Sequence, residues 1–489
     1  MDILPNIPLE SLRDELTSTK RICVIGAGPS GLAALKVISE SPQYKAGRWS
    51  ITAFEDRTNV GGVWLPAPPV DNPPLTPLYD SLTTNLPHPV MAYTSHSFPP
   101  STPLFPNAAA VQAYLESFAS HFNLLPLIRL NTTVTGAKWE APIWTITLST
   151  GEVLPFDHVI VANGHYRLPR IPDTPGLSEW MATGKASHSA WYRRPHNIGD
   201  VVLVVGGGPS GKDISAEMCS VAKVVIHSAT GTSPEDIGNL KRRGRVIEFK
   251  SDGQVVFEDG TSEQAIDHCI LATGYQMDFP FFEDSVILAS IPPPSPPLPR
   301  DLFNSSYHVY PLAKHLFPLQ SHYPPSSLAF MGLLIRVAPF PLLEAQARAI
   351  VRVFSDPSSL DTTHEAIDII TRSEQLQAAG ALTPLQLSKA WHRFEEHQQF
   401  DYRNEMYEFA GRSRPSDEVI VVPDWEREMY HEKELLRTAW REVEQRGEAE
   451  KWVKGVGEGG VQEWVELMRS LLRWAKQGDP DDTTSCSRL

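Results

Sequence analysis

Two short apolar runs, at residues 21–25 and 201–205, each end abruptly in a glycine-rich turn and resume as a helix-like pattern. A continuous apolar run of this length, bounded by turn residues, predicts a strand buried on both faces, as in a parallel sheet. After the first turn, residues 32–38 predict a helix and 49–54 a second strand ending on Glu55. A helix at 109–122 and strands at 134–139, 144–148 and 158–162 complete a first unit. A second unit begins near Leu177, takes in 201–205, 224–226 and 269–271, and ends near Tyr275. Proline breaks these patterns in three places. Residues 66–106 predict a long irregular excursion, of a length that is usually functional, and 168–175 and 292–297 read as linkers. The remainder reads as largely helical, with Trp464, Leu467, Leu471 and Trp474 at the spacing of a buried helical stripe. The fold class is α/β: two doubly wound, Rossmann-like dinucleotide-binding domains with a helical C-terminal region.

The two turns carry the chemistry. The first is Gly26, Ala27, Gly28, Pro29, Ser30 and Gly31; the second is Gly206, Gly207, Gly208, Pro209, Ser210 and Gly211. In such a turn the first glycine allows the bend, the second lets backbone approach a pyrophosphate, and the third lets helix pack on strand. Two turns imply two dinucleotides. Glu55, at the tip of the second strand, stands where a carboxylate hydrogen-bonds the ribose of an adenosine. The equivalent strand of the second unit ends instead in His227-Ser228, with Lys241, Arg242, Arg243 and Arg245 close behind. Absence of an acid together with nearby cations favours NADPH over NADH.

Composition narrows the class. With 489 residues, 41% of them hydrophobic, the chain can build several packed cores. A net charge of -15 argues against nucleic acid or an anionic membrane as partner. Cys23, Cys219, Cys269 and Cys486 form no short-spaced pair, which suits a reducing compartment and rules against a flavin disulfide reductase. No metal site, signal peptide or membrane span is expected; the longest apolar stretch, 328–343, is interrupted by Arg336, Pro339 and Pro341. The last three residues, Ser487-Arg488-Leu489, follow a polar tail and resemble a peroxisomal import address, so the expected location is cytoplasmic or peroxisomal.

Taken in order, the first turn, Glu55, Gly61-Gly62-Val63-Trp64, Thr84-Asn85 within YDSLTTNLPHPVMAY, the second turn and DHCILATGY at 267–275 resemble the flavin-containing monooxygenases. Between the turns, Gly184 and His188 fit the family's F-x-G-x-x-x-H signature, although Ala182 replaces its phenylalanine. Tyr192, four positions past the histidine, resembles the heteroatom oxygenases; Baeyer-Villiger enzymes carry tryptophan there, and Trp191 is one position early. Residues 326–347 resemble the fungal branch, and the likeness spans about 21–411.

The resemblance implies an FAD- and NADPH-dependent monooxygenase: a reduced flavin traps dioxygen as a hydroperoxide and passes one oxygen to the nitrogen or sulfur of a small molecule. It implies an FAD-binding domain in two parts, 1–172 and 281–410, an NADPH-binding domain inserted at 173–280, and a helical extension at 411–489 with a disordered tail. Gly26 to Gly31 and Glu55 are implied to hold FAD, with Gly62, Val63, Trp64 and Thr84 on its flavin side. Gly206 to Gly211 are implied to take NADPH. Asn85 is implied as a catalytic contact to flavin and nicotinamide, and His188 as a second catalytic residue, coupling NADPH binding to domain movement or simply packed. Ala272, Thr273, Gly274 and Tyr275 mark the return to the FAD domain, as further cofactor contacts. An amino-acid or amine N-hydroxylase, a Baeyer-Villiger oxygenase and a non-catalytic flavin-binding protein remain alternatives. The fungal likeness and unmatched tail suggest secondary metabolism, while substrate and oligomeric state are not legible.

Overall fold

The computed structural model describes residues 19–411 and 420–477. The expected disordered tail, with Cys486 and Ser487-Arg488-Leu489, lies outside the described residues.

Two sheets organise the chain. The first has five parallel strands in the order Leu328–Phe330, His158–Val161, Lys20–Ile25, Trp49–Phe54, Ile128–Arg129. Lys20–Ile25 lies at its centre, and Ile22, Cys23 and Val24 are fully buried, which accounts for the unbroken apolar run. The helix that follows, Pro29–Glu40, begins inside the glycine turn, earlier than the apolar spacing suggested, because Pro29 has no amide to lose at a first helical position. Helix Pro339–Ser355, from far downstream, packs against it.

The second sheet has six strands in the order Glu235–Ile237, Leu240–Arg243, Val224–Ser228, Val201–Val205, His268–Leu271, Ala186–His188. All pairs are parallel except the edge pair Glu235–Ile237 with Leu240–Arg243. The alternating strands Val134–Glu140, Ile143–Leu148 and Val153–Phe156 form a separate antiparallel sheet. Where the chain passes between the two large sheets, Leu168–Pro169 pairs antiparallel with Tyr275–Gln276.

The proline-rich excursion contains little regular structure, one turn of helix at His88–Met91, yet its side chains are core. Val90, Met91, Tyr93, Phe98, Leu104 and Phe105 are buried in the first core, while Tyr79 joins Tyr192, Val202, Val204 and Ile214 in the second. Single anchors at irregular spacing leave no period in the sequence. Farther on, helix Val461–Gln477 buries Trp464, Leu467 and Leu471, with Trp474 partly buried. Among the described residues no helix is long and apolar enough to cross a membrane.

Candidate functional site

Both glycine turns stand at the C-terminal edge of a parallel sheet, where doubly wound folds bind ligands. Gly26 has a φ of +102°, and a Cβ there would lie 2.6 Å from the Ala162 carbonyl oxygen. Gly206 repeats the arrangement, with a φ of +132° and the Ala272 carbonyl oxygen 2.1 Å from such a Cβ. Neither Gly28 nor Gly208, the residues that precede the two helices, can cap the first-turn amides with a side chain. Uncapped amides at the positive end of a helix dipole fit a dinucleotide's pyrophosphate.

Glu55 is buried at the first turn. Its carboxylate accepts hydrogen bonds from the amides of Ala27 at 2.7 Å and Arg57 at 3.1 Å, so it shapes the turn as well as facing it. Gly61 donates its amide to the Ala27 carbonyl, and the backbones of Gly28 and Gly62 touch. Gly62–Trp64 is a single 3-10 turn; Arg57 ties it down by donating to the carbonyls of Gly62, Leu65 and Pro66, while the Val63 carbonyl accepts from the Thr76 hydroxyl. Trp64 packs against the first core, and Ser30 lies beside Gly332.

Burial, followed by a hydrogen bond with Asp56, pushes the Glu55 carboxyl up to about 7. Ribose hydroxyls donate best to the ionised carboxylate, so an adenosine bound there expels the proton. FAD affinity is therefore expected to rise with pH towards about 7 and level off above it, with a gain of up to about tenfold per pH unit below that value. Fluorescence titration of apoprotein at pH 6 and pH 8 measures the gain, and Glu55→Gln should flatten it.

At the second turn, Gly207, Gly208 and Pro209 are exposed and the space beyond Gly208 is open. The cations expected to greet a 2′-phosphate are already engaged. Lys241 pairs with Glu263 at 2.9 Å, Arg242 with Glu235 at 2.9 Å, Arg243 with Asp236 and Glu263 at 2.6 Å each, and Arg245 with Glu258 at 3.6 Å. The antiparallel edge strand supplies two of these acids, Glu235 for Arg242 and Asp236 for Arg243, while Glu258 and Glu263 come from farther along the chain. A 2′-phosphate reaching these four cations would have to draw them from these acids, while the strand ending at Ser228 brings no acid of its own to repel it.

The excursion ties to both turns. The Tyr93 hydroxyl donates to the Pro29 carbonyl at 2.7 Å, and the Tyr79 hydroxyl to Asp213, on helix Pro209–Met218, at 3.0 Å. Asn85 lies between these anchors in the chain. Thr84 before it is buried and fixed, its amide donating to the Pro106 carbonyl and its hydroxyl to the Leu86 carbonyl, whereas the Asn85 side chain is exposed and makes no hydrogen bond among the described residues.

His188 takes a different place from the catalytic one expected of it. It is fully buried; Nε2 donates to the Gly274 carbonyl at 3.0 Å and Nδ1 accepts from the Ala190 amide at 3.1 Å. Burial lowers its pKa to about 4. A neutral ring with both nitrogens taken by backbone has no proton to exchange with substrate, so His188 is a positioning residue. Ala272 closes the second turn, its amide donating to the Val205 carbonyl. Thr273 donates to the Arg170 carbonyl, Gly274 accepts from the Arg170 amide and Tyr275 stacks edge-on against His188, so these three brace the crossing between sheets.

Sequence reasoning missed Arg57, Tyr79, Tyr93 and Asp213. Asp213 had a signal, two positions beyond the second glycine turn, and Tyr79 and Tyr93 stand at the two ends of YDSLTTNLPHPVMAY.

A family model described as flavin-binding monooxygenase-like matches residues 19–234 and 232–410. The flavin-containing monooxygenase GS-OX-like 7 of Arabidopsis thaliana is 30% identical over 451 residues, covering 85% of this chain and 88% of the relative. The thiol-specific monooxygenase of Saccharomyces cerevisiae is 32% identical over 362 residues, covering 71% and 80%. Among solved structures, S-allyl-L-cysteine S-oxygenase from Allium sativum superposes with a TM-score of 0.71 at 26% identity, covering 93% of this chain and 99% of that one.

Proposed function

The chain belongs to the flavin-binding monooxygenase-like family, and from that premise we propose that it uses FAD and NADPH to oxygenate the sulfur of a small thiol or thioether. It is a flavin monooxygenase. The observation that carries the fuller reading is the excursion pinned through Tyr93 to the first turn and through Tyr79 to the helix that opens at the second, with the free amide of Asn85 between. FAD and NADPH together supply the two electrons with which one oxygen of dioxygen goes to substrate and the other to water.

This chain's residues do the rest. The uncapped amides after Gly28 hold the FAD pyrophosphate and Glu55 its ribose; those after Gly208 hold the NADPH pyrophosphate. Asn85 donates and accepts without titrating, and so orients nicotinamide and flavin alike at any working pH. The excursion excludes water from the space between the turns. Sulfur is preferred as the acceptor because two of the relatives are named for thiol and S-oxygenation, and Tyr192, four positions past His188 where Baeyer-Villiger enzymes carry tryptophan, favours a heteroatom over carbon. Residues 326–347 support a place on the family's fungal branch.

Purified protein is expected to be yellow and to oxidise NADPH in air, with one sulfoxide or disulfide formed per NADPH in the presence of a thioether or thiol. Turnover of tertiary amines alone would move the acceptor to nitrogen. Conversion of ketones to esters would replace the reading with a Baeyer-Villiger one, and colour without NADPH oxidation would leave a flavin carrier.

A further inference from the structure

Helix Lys433–Gln445 has two working faces. Leu436, Ala439, Trp440 and Val443 are buried in the same core as Ile22, Val24 and Leu32 of the first glycine unit. Arg437 and Arg441, one helical turn apart and so on one side, reach instead to the second unit. There the Asp213 carboxylate accepts from Arg437 at 3.0 and 3.2 Å, from Arg441 at 3.2 Å and from the Tyr79 hydroxyl at 3.0 Å. Three segments far apart in sequence thus converge on one carboxylate. The side chains of Arg437 and Asp213 are each only 14% exposed, so the pair is largely shielded from solvent. An aspartate left there without its arginines would hold an uncompensated, half-desolvated charge, which drives the helix outward.

Asp213 stands in helix Pro209–Met218, whose first-turn amides face the second dinucleotide site. A helix moves as a rigid piece, so whatever fixes Asp213 fixes those amides, and small errors in placing a reactant cost large factors in rate. Tyr192 reinforces the arrangement one turn along, donating to Glu217 at 2.6 Å while stacking edge-on against Tyr79.

We infer that Asp213, clasped by Tyr79, Arg437 and Arg441, is a positioning residue that sets the NADPH helix relative to the flavin-binding unit, and that helix Lys433–Gln445 thereby takes part in NADPH use. The inference rests on the reading of Gly206 to Gly211 as the NADPH site.

The test uses the FAD-loaded protein and an Arg437→Gln/Arg441→Gln double variant. The KM for NADPH is expected to rise on the order of tenfold, the loss usual for charge-assisted hydrogen bonds, with more NADPH ending as hydrogen peroxide and FAD content unchanged. Arg437→Lys with Arg441 intact should restore most of the affinity. A purely structural role would lower melting temperature and FAD content and leave the KM where it was; that result overturns the inference. Arg469→Gln, which breaks the exposed pair with Glu428 in the same extension, should not move the KM, and an equal shift there also overturns it. Should the double variant fail to fold, Tyr79→Phe removes a single hydroxyl and is expected to raise the KM about threefold; no rise counts against the inference. Failure of the parent reading looks different, because the unaltered protein would then show no saturable NADPH oxidation.

Discussion

Gly211→Ala is expected to give a yellow protein that scarcely oxidises NADPH. A Cβ at Gly211 would lie 1.9 Å from the Gly206 carbonyl oxygen and 2.9 Å from its carbon, both backbone atoms that no side-chain rotation can clear. Helix Pro209–Met218 must therefore lift from strand Val201–Val205, taking with it the amides that would hold the pyrophosphate. The first turn is untouched, since Gly31 makes its own close contact with the Gly26 carbonyl on a separate sheet. We expect kcat/KM for NADPH to fall on the order of 100-fold, about 2.7 kcal/mol, with flavin absorbance per protein unchanged. Gly208→Ala provides the contrast. Nothing lies within 4 Å of a Cβ there, so melting temperature should hold while NADPH affinity still drops, because the methyl occupies space meant for the cofactor. A Gly208→Ala protein that binds NADPH normally would show that the turn does not approach a dinucleotide.

Asn85→Ala is expected to separate NADPH consumption from oxygenation. The side chain is exposed and without a hydrogen-bond partner among the described residues, and the backbone on either side is fixed through Thr84, so folding should be unaffected. An alanine can neither donate to nor accept from a bound nicotinamide. NADPH oxidation should persist within about twofold while sulfoxide per NADPH falls on the order of tenfold, about 1.4 kcal/mol, the difference appearing as hydrogen peroxide. Parallel peroxide and product assays measure the ratio, and a coupling equal to that of the parent protein would remove the role assigned to Asn85.

Much of the fold was legible because buried parallel strands write themselves as unbroken apolar runs. Residues 21–25, 49–54 and 201–205 lie in strands that match to within a residue. The glycine turns were legible for a related reason, since few residue types tolerate a close backbone approach, and Glu55 from its place at the tip of the second strand. Contacts made by single side chains over long sequence distances left no such mark. Nothing local to Tyr79 or Tyr93 announces which helix its hydroxyl meets, and the cations at 241–245 looked free because their acids arrive on neighbouring strands. His188 was open between coupling domain movement and simple packing, because its motif says nothing of what its two ring nitrogens meet, and both meet backbone.

The first sheet cannot close in the order in which the chain is made. Its edge strand, Leu328–Phe330, and the helix behind it, Pro339–Ser355, leave the ribosome after the whole second sheet, which ends at Leu271. During synthesis the lobe built on the second sheet can therefore mature early, whereas the lobe built on the first waits with the edge of His158–Val161 bare. A product released by premature termination before residue 328 keeps that edge open, and an unpaired apolar edge invites pairing with other chains.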